Sequence, residues 1–171
     1  MSTWNDLSPF RASKGYVIEK MLEKAGASEQ DVVYDLGSGT GDIIKHALLE
    51  PFKVKRAVGI EINKGLADKS IQLLQLYERM YSYIQGKWEI INDDVFNCDV
   101  SEANIVTAYL TLYGNDRIMW KLKKELSEDT LVVTNTFEIE NWKPIEEYFA
   151  KSNGSDDMPG YPIYVYKMSE I

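Results

Sequence analysis

The chain has 171 residues, 44% of them hydrophobic and 27% charged, which suits one globular domain over residues 1–171 and leaves no room for a second. Its net charge of −8 disfavours nucleic-acid binding, which needs clustered Lys and Arg, and favours small molecules or basic partners. No apolar run is long enough for a membrane span and no secretory signal pattern is present, so we expect a cytoplasmic protein without membrane contact, and a monomer is favoured.

Two residue types that often carry chemistry occur once each. The single Cys98 excludes an intramolecular disulfide and fits a reducing compartment. The single His46 excludes a histidine-based metal cluster, and its position in a predicted helix favours a structural role. We therefore expect no metal site.

Hydrophobic periodicity predicts alternating helices and strands along the chain. A helical stripe over residues 12–25 ends at Gly26, and further helices are predicted at residues 42–49, 64–84 and 116–126. Buried-type strands are predicted at residues 31–36, 56–62, 88–92, 104–110 and 131–137. Five βα-type units imply a parallel sheet with helices on both faces, which is a doubly wound α/β fold.

The C-terminal part departs from this alternation. Two extended runs, residues 142–150 and 161–168, are separated by a polar loop at residues 152–157. Pro144 limits where the first run can pair. A terminal hairpin adds an antiparallel strand, so we expect a mostly parallel seven-stranded sheet that ends in an antiparallel hairpin.

A glycine-rich turn links the first predicted strand to the next helix, and it reads Asp35-Leu36-Gly37-Ser38-Gly39-Thr40-Gly41. Glycine lets the backbone turn sharply and approach a ligand, and the free N–H groups of the helix start then face that ligand. The dinucleotide fingerprint would place its third glycine at Asp42, one residue later than this chain does. The spacing is instead that of the first motif of class I S-adenosylmethionine (SAM) methyltransferases, which this stretch resembles.

Acids at the ends of the next two strands strengthen the nucleoside interpretation. Glu61, followed by Ile62, lies 20 residues after Gly41, where a carboxylate accepts two hydrogen bonds from a ribose diol. Asp94 follows the third strand and is placed to accept from the adenine amine, with Val95 against the ring. These residues complete a predicted SAM site that the glycine turn begins.

Across nearly its whole length the chain also resembles the small archaeal-type seven-strand protein lysine methyltransferases. The most family-specific stretch runs Phe137-Glu138-Ile139 and then Trp142-Lys143-Pro144. The resemblance implies a Rossmann-like class I methyltransferase fold, SAM as the methyl donor and broad action on exposed lysines of other proteins. The tetrapeptide of adenine- and glutamine-amide methyltransferases is absent after the fourth strand, which argues against those substrates.

One departure from that family falls ahead of the first helix. The family motif Tyr-x-Pro-Thr-Pro, thought to shape the cofactor and lysine site, corresponds here to Phe10-Arg11-Ala12-Ser13-Lys14. The ring and the hydroxyl are kept as Phe10 and Ser13, while the tyrosine hydroxyl and both prolines are lost. We carry Ser13 over as a cofactor residue.

Aromatic side chains near strand ends are candidates for the methyl-acceptor site, because rings can wall a channel and hold a cationic amine. The candidates are Phe10, Tyr109, Tyr113 and Trp142. Phe137 has a similar position, and each of these rings could equally belong to the core. For Tyr109, alternation with Ile105 and Thr107 would bury the ring beneath a helix.

The sequence thus predicts a SAM-dependent enzyme that methylates protein lysines by in-line attack on the sulfonium methyl, a task of positioning. A small-molecule methyltransferase is the alternative, although this short chain leaves little for the lid that such enzymes usually need. A non-catalytic SAM-binding module is a third possibility, since the departure at residues 10–14 falls on the acceptor side.

Overall fold

The computed structural model describes residues 11–151 and 160–171. Its helices and strands follow in this order: α1 (Gly15–Lys24), β1 (Val32–Leu36), α2 (Asp42–Leu48), β2 (Arg56–Ile60), α3 (Lys64–Met80), β3 (Trp88–Ile91), β4 (Ile105–Ala108), α4 (Leu112–Glu125), β5 (Leu131–Asn135), β6 (Glu146–Ala150) and β7 (Tyr161–Lys167). Short 3-10 turns occupy Ser82–Ile84, Val95–Asn97 and Met168–Glu170.

The seven strands form one sheet in the order β3-β2-β1-β4-β5-β7-β6. The first five are parallel, and β7 pairs antiparallel with both β5 and β6. The predicted fold, a mostly parallel seven-stranded sheet with a C-terminal antiparallel hairpin, is confirmed. Because the strand order reverses beside β1, the carboxyl ends of β1, β2 and β4 border one crevice, where such folds bind ligands.

Helices cover both faces of the sheet, but unequally. Alternate residues of β1 divide between the two faces: Val33 packs with α1, α2 and α3, whereas Tyr34 packs with α4. The prediction of five βα units is wrong, because in the described residues a helix follows only β1, β2 and β4, and between β3 and β4 the chain makes only the Val95–Asn97 turn. Buried side chains of that connection, such as Val100, cover the sheet in place of a helix.

Two of the boundaries that differ from the sequence predictions have local causes, a helix-capping residue in one case and a turn in the other. Helix α4 begins at Leu112, four residues earlier than predicted, since the Thr111 hydroxyl accepts a hydrogen bond from the Gly114 amide. The first C-terminal strand begins at Glu146 and not at residue 142, because Asn141 has a positive φ of 64° and turns the chain. Among the described residues, no helix is both long and apolar enough to cross a membrane.

Candidate cofactor site

A cavity of about 250 Å³ opens at the carboxyl ends of β1, β2 and β4. Strand register produces it, because Leu36 of β1 pairs with Ile60 of β2 and with Ala108 of β4. The residues that follow these three strand ends therefore meet at one edge. The walls are formed by Arg11, Ala12, Ser13, Ile18, Asp35, Gly37, Ser38, Thr40, Asp42, Ile43, Glu61, Ile62, Asn63, Leu66, Tyr109 and Leu110.

The glycine turn bends over this cavity with left-handed backbone angles. Gly37, Gly39 and Gly41 have φ values of 76°, 54° and 81°, which side chains with a Cβ rarely adopt. The amides of Gly37 and Ser38 both donate to the Ile60 carbonyl, at 2.9 and 3.0 Å, and tie the turn to β2. Of the three predicted residues Gly37, Ser38 and Gly39, the first two line the cavity, whereas Gly39 does not and its amide donates to Glu61.

The third glycine of the motif has a different surrounding. Gly41 is outside the cavity wall and caps α2, and a Cβ on it would lie 2.1 Å from the Ser70 hydroxyl of α3. It was predicted to bind the cofactor, but the structure places it where α2 and α3 approach each other. Its role here is close packing between helices.

We expect Gly41→Ala to lower the free energy of unfolding by about 2–4 kcal/mol, from left-handed strain plus overpacking against Ser70. Gly26→Ala is the matched control, because Gly26 has a φ of 64° and nothing within 4 Å of its added Cβ. Denaturant unfolding compares the two variants. An equal loss in both would show that Ser70 contributes nothing to the requirement for glycine at position 41.

Glu61 lies in the cavity wall and is only 6% exposed. Its Oε2 accepts a hydrogen bond from the Gly39 amide and its Oε1 accepts one from the Asn63 amide, both at 2.8 Å. The carboxylate thereby holds the glycine turn against the end of β2. A carboxylate oxygen can accept more than one hydrogen bond, so the group can still receive a ribose diol. The sequence interpretation missed this bracing role, which a spacing pattern does not reveal.

Asp35 is almost fully buried at the end of β1, with 3% of its surface exposed. The Thr107 hydroxyl donates to its Oδ1 at 2.8 Å. Burial raises the pKa of Asp35 to about 7, opposed by the Thr107 hydrogen bond and assisted by the charges of Glu61 and Asp42. The carboxyl therefore keeps its proton to a much higher pH than an ordinary aspartate does.

The charge of the walls discriminates between ligand classes. Among the described residues, three acids, Asp35, Asp42 and Glu61, line the cavity, and Arg11 is the one cationic side chain that does so. Such walls oppose the pyrophosphate of a dinucleotide and attract a cationic ligand. The buried Ser38 hydroxyl also lines the cavity and has no hydrogen-bond partner in the described part of the chain. These observations fit a sulfonium nucleoside such as SAM, which supplies an electrophilic methyl group when bound.

Of the residues predicted to bind the adenine end of SAM, only some line the cavity. Ile62 lines the cavity, whereas Asp94 and Val95 do not. The Asp94 carboxylate caps its own turn by accepting from the Phe96 amide at 3.0 Å, and Val95 is buried in the core. The sequence patterns did not point to Asn92, whose side-chain amide donates to the carbonyls of Glu61 and Ile62 and holds the end of β2.

A second cavity of about 280 Å³ adjoins the first. The two cavities share a wall formed by residues 11–13 and by Tyr109. Lys14, Asn135 and Tyr161 complete the second cavity. The sequence patterns did not predict Asn135 or Tyr161 as site residues. The expected antiparallel pairing of the last strand could have indicated them, because it brings the start of β7 to the carboxyl end of β5.

The aromatic acceptor candidates separate in the structure. Tyr109 is half-buried and lines both cavities, while Tyr113 is 57% exposed on α4 and lines neither. Trp142 lies in the core with its ring edge-on to Tyr166, 5.7 Å between centroids, and is also outside both cavities. Phe10 is outside the described residues. Only Tyr109 of the candidates in the described chain therefore adjoins the cofactor cavity.

No metal site competes with this arrangement in the part of the chain that the structure describes. His, Cys, Asp and Glu side chains there form no cluster of three or more that could hold an ion. The His46 ring nitrogen Nδ1 lies 2.7 Å from the Asp42 carbonyl within α2.

Comparison with known proteins places this geometry in a family. The family model of the ANTKMT methyltransferase domain matches residues 35–146. A protein-lysine N-methyltransferase of Saccharolobus islandicus is 36% identical over 162 residues, covering 95% of this chain and 94% of that protein.

Solved structures agree with the sequence relatives. An RNA methyltransferase from Salinibacter ruber, in complex with S-adenosyl-L-homocysteine, is 30% identical with a TM-score of 0.79, over 92% of this chain and 94% of that one. A tRNA methyltransferase of B. subtilis, 17% identical with a TM-score of 0.69 over 93% of this chain and 67% of that one, shares the fold. The chain belongs to the ANTKMT methyltransferase domain family and is a SAM-dependent methyltransferase.

Proposed function

We propose that this enzyme transfers methyl groups to lysine side chains of proteins. The observation that carries the proposal is the 36% identity to a protein-lysine N-methyltransferase over nearly the full length of both chains. The second cavity supports it, because two aromatic side chains, Tyr109 and Tyr161, line it beside the predicted methyl donor. The net charge of −8 suits partners that present lysines.

The chemistry asks the protein to position and to desolvate. A lysine amine, with an ordinary pKa of about 10.4, must lose a proton before it attacks, and a partly apolar cavity favours the neutral form. The amine forms its bond to the methyl carbon as the carbon–sulfur bond breaks with its electron pair moving to sulfur, and the amine proton goes to water. Tyr109 lines both cavities, and in this proposal its side chain aligns the amine with the methyl group.

RNA is the second candidate acceptor, since the Salinibacter ruber protein, 30% identical, is described as an RNA methyltransferase. The charge of this chain argues against it, because a sequence pI near 4.8 opposes a polyphosphate backbone.

Incubation with radiolabelled SAM of a protein extract and, separately, of total RNA from the same cells distinguishes the acceptors. We expect label that is destroyed by protease and found as methyl-lysine after hydrolysis. Label in nuclease-sensitive material, in small molecules only, or nowhere would overturn the proposal.

Truncation of Tyr109 tests its positioning role. We expect Tyr109→Ala to reduce methyl transfer by about 10- to 100-fold while SAM affinity changes by less than about threefold. Tyr109→Phe separates the hydroxyl from the ring, and the exposed Tyr113→Ala is the control for loss of a nearby aromatic. Equal turnover in Tyr109→Ala and Tyr113→Ala, measured at saturating SAM, would remove Tyr109 from the acceptor site.

A further inference from the structure

The second cavity, which the proposed function makes the acceptor cavity, is lined by one of the enzyme's own lysines. Lys14 lines this second cavity, and its Nζ lies 5.2 Å from the centroid of the Tyr161 ring. That distance is within the range of a cation–π interaction. The Lys14 ammonium thus lies over an aromatic ring in this cavity, as the ammonium of a substrate lysine would.

The Tyr161 ring is held firmly enough to serve as a binding surface. Tyr161 is half-buried at the start of β7, and Tyr16 of α1 packs edge-on against it, with centroids 6.4 Å apart and planes at 70°. Because β7 runs antiparallel to β5, its first residues lie at the carboxyl edge of β5: Ile163 is opposite Asn135, and Tyr161 lies two residues beyond it, in the same cavity wall as Asn135. That edge adjoins the cofactor cavity through Ser13 and Tyr109.

The segment that carries Lys14 is fixed at the same place. The Asn135 side chain donates to the Ser13 hydroxyl at 3.3 Å, directly before Lys14. Lys14 is the N-terminal capping residue of α1, and its carbonyl accepts from the amides of Val17 and Ile18. The backbone of Lys14 is therefore anchored, while its side chain is exposed to solvent.

From this arrangement we propose that Tyr161 is the ring that holds the ammonium of the acceptor lysine, and that Lys14 occupies it until a substrate displaces it. The inference rests on the proposed function, because it assumes that the acceptor is a protein lysine. An incoming ammonium replaces the Lys14 ammonium on the Tyr161 ring with little change in charge at the site. Lys14 is accordingly a competitor built into the acceptor cavity.

The same structure offers a matched control pair outside both cavities. Lys20 of α1 lies over the Tyr148 ring of β6, also with Nζ 5.2 Å from the centroid. Neither residue lines the cofactor cavity or the acceptor cavity. Lys24 also lies over the Tyr148 ring, with Nζ 4.6 Å from the centroid. Lys20→Gln therefore removes one cation–π contact and Tyr148→Leu removes two, and neither variant changes a residue that lines the acceptor cavity.

The test measures binding of a fluorescent, unstructured peptide with one lysine to the protein saturated with S-adenosylhomocysteine, by anisotropy. We expect Tyr161→Leu to weaken peptide binding at least about fivefold, Tyr161→Phe to change it less than about twofold, and Lys14→Gln to strengthen it about two- to fivefold. Lys20→Gln and Tyr148→Leu should leave it unchanged. A peptide with norleucine in place of lysine should bind equally to the Tyr161→Leu and unchanged proteins.

Turnover of the same peptide separates the possible failures. If the unchanged enzyme methylates the peptide but Tyr161→Leu and Lys14→Gln bind it as the control variants do, the inference is wrong and the lysine assignment stands. If the unchanged enzyme methylates no protein lysine at all, the proposed function fails and the inference fails with it. Circular dichroism melting of each variant establishes that a loss of binding does not reflect unfolding.

Discussion

Asp35→Asn is expected to stabilise the ligand-free protein and to weaken SAM binding at the same time. The Asp35 carboxyl is buried against the cavity, with only the Thr107 hydroxyl donating to it among the contacts described above. Ionising such a group costs free energy that a bound cation recovers. An asparagine carries no charge to bury, and its carbonyl oxygen can still accept from Thr107.

The sign of the pH dependence follows from the direction of the shift. Burial raises the pKa of Asp35 from 3.8 to about 7, so between those values the folded state holds a proton that the unfolded state has lost. Stability contributed by this group is complete below pH 4 and declines as the pH rises to about 7. The full loss is on the order of 4 kcal/mol, reached above pH 7.

Denaturant unfolding of the ligand-free protein across pH 4–8 measures this effect. We expect Asp35→Asn to be more stable than the unchanged protein by roughly 2–4 kcal/mol at pH 8, with a difference that shrinks towards pH 4. The charges of Glu61 and Asp42 also raise the pKa of Asp35, so the variants Asp42→Asn and Glu61→Gln are measured in parallel. A difference that grows towards acid would contradict the assignment.

SAM binding should show the opposite pH preference. A cationic ligand favours the ionised form of Asp35, so affinity should fall as the pH drops below 7. Calorimetry near pH 6.5 in buffers of different ionisation enthalpy should detect release of a fraction of a proton on binding, which is absent in Asp35→Asn. Equal affinity at pH 6 and pH 8 would show that Asp35 does not respond to the ligand.

Glu61→Ala is expected to give the largest loss of cofactor affinity, about 2–4 kcal/mol, or roughly 30- to 1,000-fold in Kd. Two effects contribute to this loss. The carboxylate is the predicted partner of the ribose diol, and it also accepts from the amides of Gly39 and Asn63. Without it the Gly39 amide loses its partner and the glycine turn loses a brace.

Two variants separate these effects, with isothermal titration of SAM as the measurement. Glu61→Gln keeps an oxygen acceptor for one of the two amides and should lose less affinity than Glu61→Ala. Asp68→Ala removes a charge from the exposed face of α3, where Asp68 pairs with Lys64, and should not alter affinity. Wild-type affinity in Glu61→Ala would refute both the ribose contact and the brace.

The cofactor side of the site depends on local sequence patterns. The strands and helices, the glycine turn and the spacing to Glu61 were all legible in the sequence, because each depends on neighbouring residues and on the known arrangement of parallel strands. The same spacing placed Asp35, Gly37, Ser38 and Glu61 at one cavity, where the structure has them. This succeeded because neighbouring strands of a parallel sheet end at the same edge, so residues that follow each strand are brought together there.

The acceptor side depended on contacts between distant parts of the chain. Tyr109, Tyr113 and Trp142 are all aromatic residues near strand ends in the sequence, yet the structure sends them to a cavity, to solvent and to the core respectively. No periodicity distinguishes these outcomes, because burial depends on which element packs opposite each ring.

The sequence by itself determined the fold class, the strand-turn-helix unit and the acid at the end of β2, since hydrophobic spacing and glycine act over a few residues. Only the tertiary structure decided that Gly41 serves helix packing against Ser70, and that Tyr161 meets Lys14 beside the cofactor cavity. Both pairs join residues far apart in the chain. Their meeting follows from helix packing in one case and from the antiparallel return of β7 in the other.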